Sequence, residues 1–574
     1  MPGSTHIKEM AGVMNQLNKL QMGEWLVEHL ESEETSCCYL ADGAESLQVD
    51  YLGQLLARRV DGVLQVKALD LNALCGKTAA AQAEAFKQSM EEVVALMEKA
   101  KLVDARVAEL LRRFLPTCAM NDRASPARAA ARLVVGLADG DNDPTCAEHA
   151  LVNILEEGRK AMDAILREMM EISEEQAAGD ADKIKAMRTC VGWFSSPACA
   201  LIYQVAKYVA LCSSKGYAIG QKFLEWIDAR LADLDGEDKL LGHSEDVLAI
   251  CGSRMYVFFL DAAPTERLIS QAGSLLTFLE EEDDLGAEGG GKLRKSILLG
   301  AGSPPCMAAL RAMALVCDAV LWPLLKALKP PDDKHVFDVL PKVWTDALAF
   351  FDDAAAWPAG LVDGSLRLAF AAETSAPPAT GAQAKRSERA QIDMARIRGV
   401  ATGDPLVERL VAAACVAMAT STKNHASEWL CPEGKLCSAK HTPELRAKYD
   451  ALVAVSTPVE RIHALGRCAD ERGGMQRPEQ RAGLVLARFN NQAEWLLLKE
   501  ESGLARALDV CRGEARLARR QTLKQQRVAS GRSKRAGRET KLSSKRAKSA
   551  PRVRPRIYAS RRWPSRPSTR SSSS

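Results

Sequence analysis

From Met10 to Glu31 apolar residues recur near helical spacing, which predicts an opening helix. The period then changes. Ser36 to Leu40 is a short β-prone run ending in Ala41-Asp42-Gly43, Tyr51 to Val60 is a second run closed by Asp61-Gly62, and Val63 to Leu71 is a third. Asp-Gly between two such runs predicts a hairpin. Thr78 to Lys101 reads as a long helix with Thr78 as its N-cap. Phe114 to Met120 is a fourth apolar run, and after Asn121-Asp122-Arg123-Ala124-Ser125 a helix is expected through Ala138, then a turn from Asp139 to Pro144.

Beyond Thr145 the pattern is helical almost throughout to about Phe351, with breaks at Glu281 to Lys292 and at Pro330-Pro331. The Gly/Ala/Ser-rich stretch around Pro377-Pro378 predicts a linker or surface loop. Helical spacing returns at Ser387 to Arg398 and Pro405 to Thr420, and two closing helices are expected over Pro478 to Glu501 and Gly503 to Val528. No internal repeat is evident.

A chain of 574 residues exceeds what one hydrophobic core usually supports, so two or three units plus tails are expected. With 47% hydrophobic, 26% charged and only 5% aromatic residues, Ala- and Leu-rich segments lean toward helix, and the fold is expected to be mostly α. Sixteen cysteines, scattered in apolar segments such as those around Cys251 and Cys317, suit buried thiols in a reducing compartment and not a disulfide framework. The first residues lack the pattern of a secretory signal. The longest apolar stretch, Ala314 to Leu328, is interrupted by Asp318 and reads as too short to span a bilayer, so no membrane is expected as a partner.

The net charge of +3 conceals an asymmetry. Gly531 to Ser574 holds 15 Lys and Arg against one acid, Glu539, a local net of +14 that leaves residues 1–530 at −11. This Ser- and Pro-rich tail has too little apolar surface to offset chain entropy and is expected to be disordered. Such a tail can bind phosphate backbones by counterion release or serve in nuclear import through SSKRAKSAPR, or it can be a solvated tail without a specific partner.

Three acids stand beside expected strand ends or helix starts: Asp42 after the first strand, Asp122 after the fourth, and Glu460 in Ser456-Thr457-Pro458-Val459-Glu460-Arg461. Singly each has a plainer reading, Asp42 as a turn residue before Gly43 and Asp122 as a helix cap. As a set they gain meaning. Three antiparallel strands, a helix and a fourth strand form the opening order of a ribonuclease-H-like fold, which brings an acid on the first strand beside one at the end of the fourth. Carboxylates so gathered can hold two divalent cations about 3.5–4 Å apart for phosphodiester chemistry, and hard oxygen ligands favour Mg²⁺ or Mn²⁺.

The stretch from Ser456 to Asn491 resembles the C-terminal dimerisation segment of the hAT (hobo/Activator) superfamily of DNA transposases. Ser456, Glu460, Arg461, Ala464 and Gly466, then Pro478-Glu479 and the helix running to Asn490, match that segment in order, with Ile462-His463 where the family has a bulky aromatic. Thr145-Cys146-Ala147-Glu148-His149 is similar to the family's Cys-x-x-His, and Ser253-Arg254-Met255-Tyr256 is the nearest match to its Arg-Trp pair. The resemblance implies an α/β ribonuclease-H-like core interrupted by a large all-α insertion. Asp42, Asp122 and Glu460 would be catalytic and metal-binding, Cys146, His149, Arg254 and Arg461 would face DNA, and the C-terminal helices would make a homo-oligomer, a dimer or higher. The setting would be the nucleus.

The divisions expected on this basis are an N-terminal helical segment at 1–35, the first part of the core at 36–152, the all-α insertion at 153–440, the rest of the core with the dimerisation helices at 441–530, and the basic tail at 531–574. The family's N-terminal BED-type zinc finger has no counterpart before Cys37. His425, Cys431, Cys437 and His441 lie close together, though in spacings that match no common zinc finger. Three functional classes follow: an active transposase, a transposase-derived nuclear protein that binds DNA or self-associates without catalysis, and an unrelated helical scaffold with a basic tail.

Overall fold

The computed structural model describes residues 4–32, 36–46, 49–74, 78–120, 125–136, 144–176, 196–209, 222–223, 225–226, 229, 256–270, 275–281, 290–331, 334–370, 382–434, 436–455, 457–459, 461–465, 478–499, 505–518 and 520. The chain divides into two compact units, Met1–Val510 and Cys511–Ser574. Of the second, residues 511–518 and 520 are described, and all are helical.

The first unit begins with α1 (Ser4–Glu31), followed by β1 (Cys38–Ser46), β2 (Val49–Val60) and β3 (Val63–Leu74). Then come α2 (Ala79–Ala100), α3 (Ala105–Arg112), β4 (Cys118–Met120), α4 (Ser125–Val135) and the 30-residue α5 (Ala147–Gln176). The strands form one mixed sheet in the order β3-β2-β1-β4, with β1, β2 and β3 antiparallel in sequence and β4 parallel to β1. The β2–β3 hairpin turns at Asp61 (φ 52) and Gly62 (φ 78), the paired positive φ that a tight two-residue hairpin turn demands and that Asp-Gly supplies. As expected, α2 is capped by Thr78, whose hydroxyl accepts the Ala81 N–H at 3.2 Å. Lys101 ends that helix in the left-handed region.

One local expectation fails. Asp42 and Gly43 are not a turn; they lie inside β1, opposite Gly53 and Leu52 of β2. Pairing with β2 along the whole strand outweighs the local turn preference of Asp-Gly. The sheet is covered on both faces. Tyr39 meets Phe86 of α2 on one side, ring centroids 5.1 Å apart, while Cys38 and Leu40 join a core on the other with Leu151 of α5, Val459, Ile462 and Leu486.

The closing helix, expected as one piece from Pro478 to Glu501, is broken. It runs Pro478–Phe489, turns at Asn491 (φ 51), and resumes as Gln492–Leu497. The break is made by Asn490, whose side chain is buried against the outer edge of β3. Its Oδ1 accepts the Ala68 N–H at 2.7 Å, and its Nδ2 donates to Ala68 O at 2.8 Å and to Asn18 Oδ1 at 2.5 Å. Ala68 sits beside a bulge, because Leu55 pairs with Ala68 but Gln54 pairs with Asp70. Helix Pro478–Phe489 also crosses α1 closely: a Cβ added at Gly483 would lie 1.9 Å from Ala11 O.

Most of the remaining described residues are helical. The α5 helix continues unbroken across position 153, where the insertion was expected to begin, and packs along helix Pro405–His425. Buried ion pairs fasten three of these helices: Glu266 of helix Tyr256–Ser270 binds Arg396 and, at 3.2 Å, Arg311, while Arg267 lies 3.4 Å from Asp393. Two helices, Pro304–Ala327 and Pro405–His425, are long and apolar enough to cross a bilayer by length and composition, the first at 24 residues longer than the apolar stretch read from sequence. Much of their surface is buried inside the protein, with Leu310, Ala314, Val411 and Met418 in the common core. The linker expected at Pro377-Pro378 and the basic tail lie outside the described residues.

Candidate active site

Asp42 is half-buried in β1 two residues beyond Leu40, which pairs with Met120, the last residue of β4. The strand therefore carries Asp42 past the end of the observed β1–β4 pairing. By strand alternation Asp42 shares a face with Leu40 and Cys38, the side on which Val459 and Ile462 lie. Its Oδ1 accepts the Gly43 N–H at 2.8 Å.

Opposite Asp42 stands Gly53, where a side chain would press on its neighbours. A Cβ at this position would lie 3.3 Å from Val459 Cγ1 and 3.4 Å from His463 Nε2. The His463 ring, itself buried, donates from Nε2 to the backbone oxygen of Asp42 at 3.1 Å. Thus a helical run over 457–459 and 461–465 seats itself on β1 and β2 beside Asp42, held by the fully buried Val459 and Ile462. Glu460 falls between these two described pieces of chain, but like Asp122 and Arg254 it lies outside the described residues. Arg461 is exposed, its guanidinium 5.6 Å from the Phe489 ring, in reach of a cation–π contact.

The Cys-x-x-His stretch opens α5. Cys146, just before the first turn of that helix, is fully buried in the core. His149 is half-buried, with Nδ1 enclosed and without a hydrogen-bond partner among the described residues. The residues around this pair are tied to other segments. Thr145 Oγ1 donates to Glu428 Oε1 at 2.7 Å, the Ala147 N–H donates to Ala454 O at 2.9 Å, and Glu148 accepts from the Thr457 hydroxyl.

Among the described residues no three His, Cys, Asp or Glu side chains gather in a metal-holding group, and Asp42 is the one member of the acidic triad included there. The His425, Cys431, Cys437 and His441 set does not assemble. The His441 ring stacks on Phe337, centroids 4.3 Å apart, and donates from Nε2 to Leu436 O at 2.9 Å.

Glu148, Thr457 and His463 were not singled out from sequence for what they do here. The only local signal was their place inside the two motifs; their partners lie hundreds of residues away. No protein-family model matches the chain, and no curated protein matches it.

Proposed function

We propose that this chain is a transposase-like DNA-binding protein with a ribonuclease-H-like core, acting on phosphodiesters through Asp42, Asp122 and Glu460. The observation that carries the reading is the sheet. Its order is β3-β2-β1-β4 with β4 parallel to β1, Asp42 lies on β1 just past the β4 pairing, and the segment around position 460 is seated against Asp42. Asp122 follows Met120 by two residues, as Asp42 follows Leu40, which is the spacing that would align two acids across parallel strands.

The donor set fits hard divalent cations, since three carboxylates offer only oxygen. Bound Mg²⁺ or Mn²⁺ would supply activation of a water or 3′-hydroxyl and stabilisation of the leaving oxygen, for strand cleavage and strand transfer. The chain's own residues would position the DNA. Arg461 presents an exposed cation beside the acid segment, His149 and Arg254 would face the DNA, and the +14 tail would bind phosphates with strong salt dependence. Self-association through the C-terminal helices into a dimer or higher oligomer, a nuclear setting and no membrane complete the proposal.

The test is metal-dependent nicking of supercoiled plasmid DNA by the full chain. Asp42→Asn and Glu460→Gln should abolish Mn²⁺-dependent nicking and leave DNA binding intact. Nicking retained in both variants would sink the catalytic reading. DNA binding by the wild type with no metal-dependent nicking would favour the alternative of a transposase-derived protein that binds DNA or self-associates without catalysis.

A further inference from the structure

Cys38 opens β1 and Cys118 opens β4, and the two are register partners across the parallel pairing of these strands. Paired strands lie about 4.8 Å apart, inside the Cα separation of about 4.4–6.8 Å that a disulfide spans. Both residues are fully buried and both thiols are free. The two side chains interact directly: burial first, and then a hydrogen bond with the Cys38 side chain, hold the Cys118 thiol well above its ordinary range. Cys37 is buried beside Cys38, but successive residues of an extended chain point to opposite faces. Its backbone instead ties down the start of β4. The Cys37 carbonyl accepts the Thr117 N–H at 2.8 Å and the Cys118 N–H at 3.3 Å, and the Cys37 N–H donates to the Thr117 hydroxyl at 3.0 Å.

β4 is the shortest strand of the sheet, three residues at its edge with β1 as its one neighbour. Segments held by few hydrogen bonds open locally at a fraction of the global unfolding free energy. While β4 is paired, both thiols are shielded, as buried structural cysteines are. Opening of β4 brings both to water together, and there a thiolate forms and reacts.

We propose that Cys38 and Cys118 are a redox pair, oxidised by hydrogen peroxide to a disulfide that locks β4 onto β1. One thiolate attacks the O–O bond and becomes a sulfenic acid, and the hydroxide that leaves takes up a proton as water. The second thiol then displaces the hydroxyl from that sulfur, which forms the S–S bond and a second water. Two thiols lose two electrons, and one peroxide is reduced to two waters. In a reducing compartment the pair rests as thiols and the disulfide is transient. Cys38 and Cys118 are 80 positions apart, so the bond closes a long loop and removes the opening of the edge strand. None of this depends on a metal or on DNA.

The test is exposure of the full chain to hydrogen peroxide, alkylation of the remaining thiols, and peptide mass spectrometry. A linkage between the peptides carrying Cys38 and Cys118 is expected, reversed by dithiothreitol, with slower hydrogen exchange over β4. The thermal midpoint should rise by about 4 °C, the entropy of a closed loop of this length spread over a unit of this size. Urea below the unfolding transition should speed the linkage, because the reactive state is the opened strand. Cys37→Ala should keep the linkage, and Cys118→Ala should lose the gain in exchange protection and midpoint. If Cys118→Ala fails to fold, the linkage map of the wild type decides. The half-buried Cys431 is the internal control. Free thiols at Cys38 and Cys118 under a peroxide dose that oxidises Cys431 would overturn the pair. So would linkage of either residue to a different cysteine, or linkage that leaves exchange over β4 unchanged.

Discussion

Replacing Asn490 by leucine should remove a large share of the protein's stability. Asn490 is 1% exposed, and its carboxamide satisfies both backbone groups of Ala68 together with the oxygen of Asn18. Ala68 lies on β3, the edge strand of the sheet, where outward backbone groups need a partner. Leucine keeps the volume and loses every bond. Ala68 O retains Asn18 Nδ2 at 3.4 Å, so two groups are orphaned, the Ala68 N–H and Asn18 Oδ1. At about 1–3 kcal/mol for each buried unsatisfied group the loss is about 2–6 kcal/mol, against a typical total of about 5–15 kcal/mol. Urea unfolding followed by tryptophan fluorescence reads the global effect, and hydrogen exchange of peptides covering β3 reads the local one. A midpoint change equivalent to less than about 1 kcal/mol, with exchange at Ala68 unaltered, would refute the assignment of Asn490 as the cap of this edge.

Three further outcomes follow from the same physics. Gly483→Val should force apart α1 and helix Pro478–Phe489, since even a methyl carbon would collide with Ala11 O. Overpacking of this kind costs about 1–3 kcal/mol, and a thermal midpoint equal to that of the wild type would contradict the close crossing. Glu266→Ala should leave the cations of Arg311 and Arg396 without their shared buried acid. The expected loss is about 3–5 kcal/mol, readable by denaturant unfolding, and a loss below 1 kcal/mol would show that the cluster does not hold these helices together. His335→Asn tests pH dependence. Burial holds the His335 imidazole below its ordinary value of 6.5, and its Nδ1 accepts the Phe337 N–H at 3.1 Å as the N-cap of helix Val336–Ala356. The unfolded chain therefore takes up this proton at higher pH than the folded one, so stability is full above the ordinary value and falls as pH drops below it. Asparagine can cap without titrating, so melting curves between about pH 5 and 8 should show a shallower acid slope in the variant; an unchanged slope would exclude His335 as a contributor.

Local pattern was enough to read β2, β3 and α2, because each signal acts over a few residues. The β-prone runs marked β2 and β3, Asp61-Gly62 marked the hairpin turn, and Thr78 marked the cap of α2. Where a long-range partner decides, the reading failed. Asp42-Gly43 has the composition of a turn, yet β2 pairs across it and keeps it in the strand. The break at Asn490 depends on a β3 backbone 422 residues away, and no spacing rule reaches that far. The same limit applies to the candidate site. Asp42 was nameable from sequence, but the His463 ring on its carbonyl, the glycine opposite it and the Glu148–Thr457 tie exist only through tertiary packing.

The most direct measurement is anomalous diffraction at the manganese edge from crystals of the full chain grown with Mn²⁺. The expected result is density for two ions about 3.5–4 Å apart, bounded by carboxylate oxygens of Asp42, Asp122 and Glu460. Carboxylates dispersed beyond bridging reach, with no anomalous peak beside Asp42, would contradict a two-metal phosphodiester site in this protein.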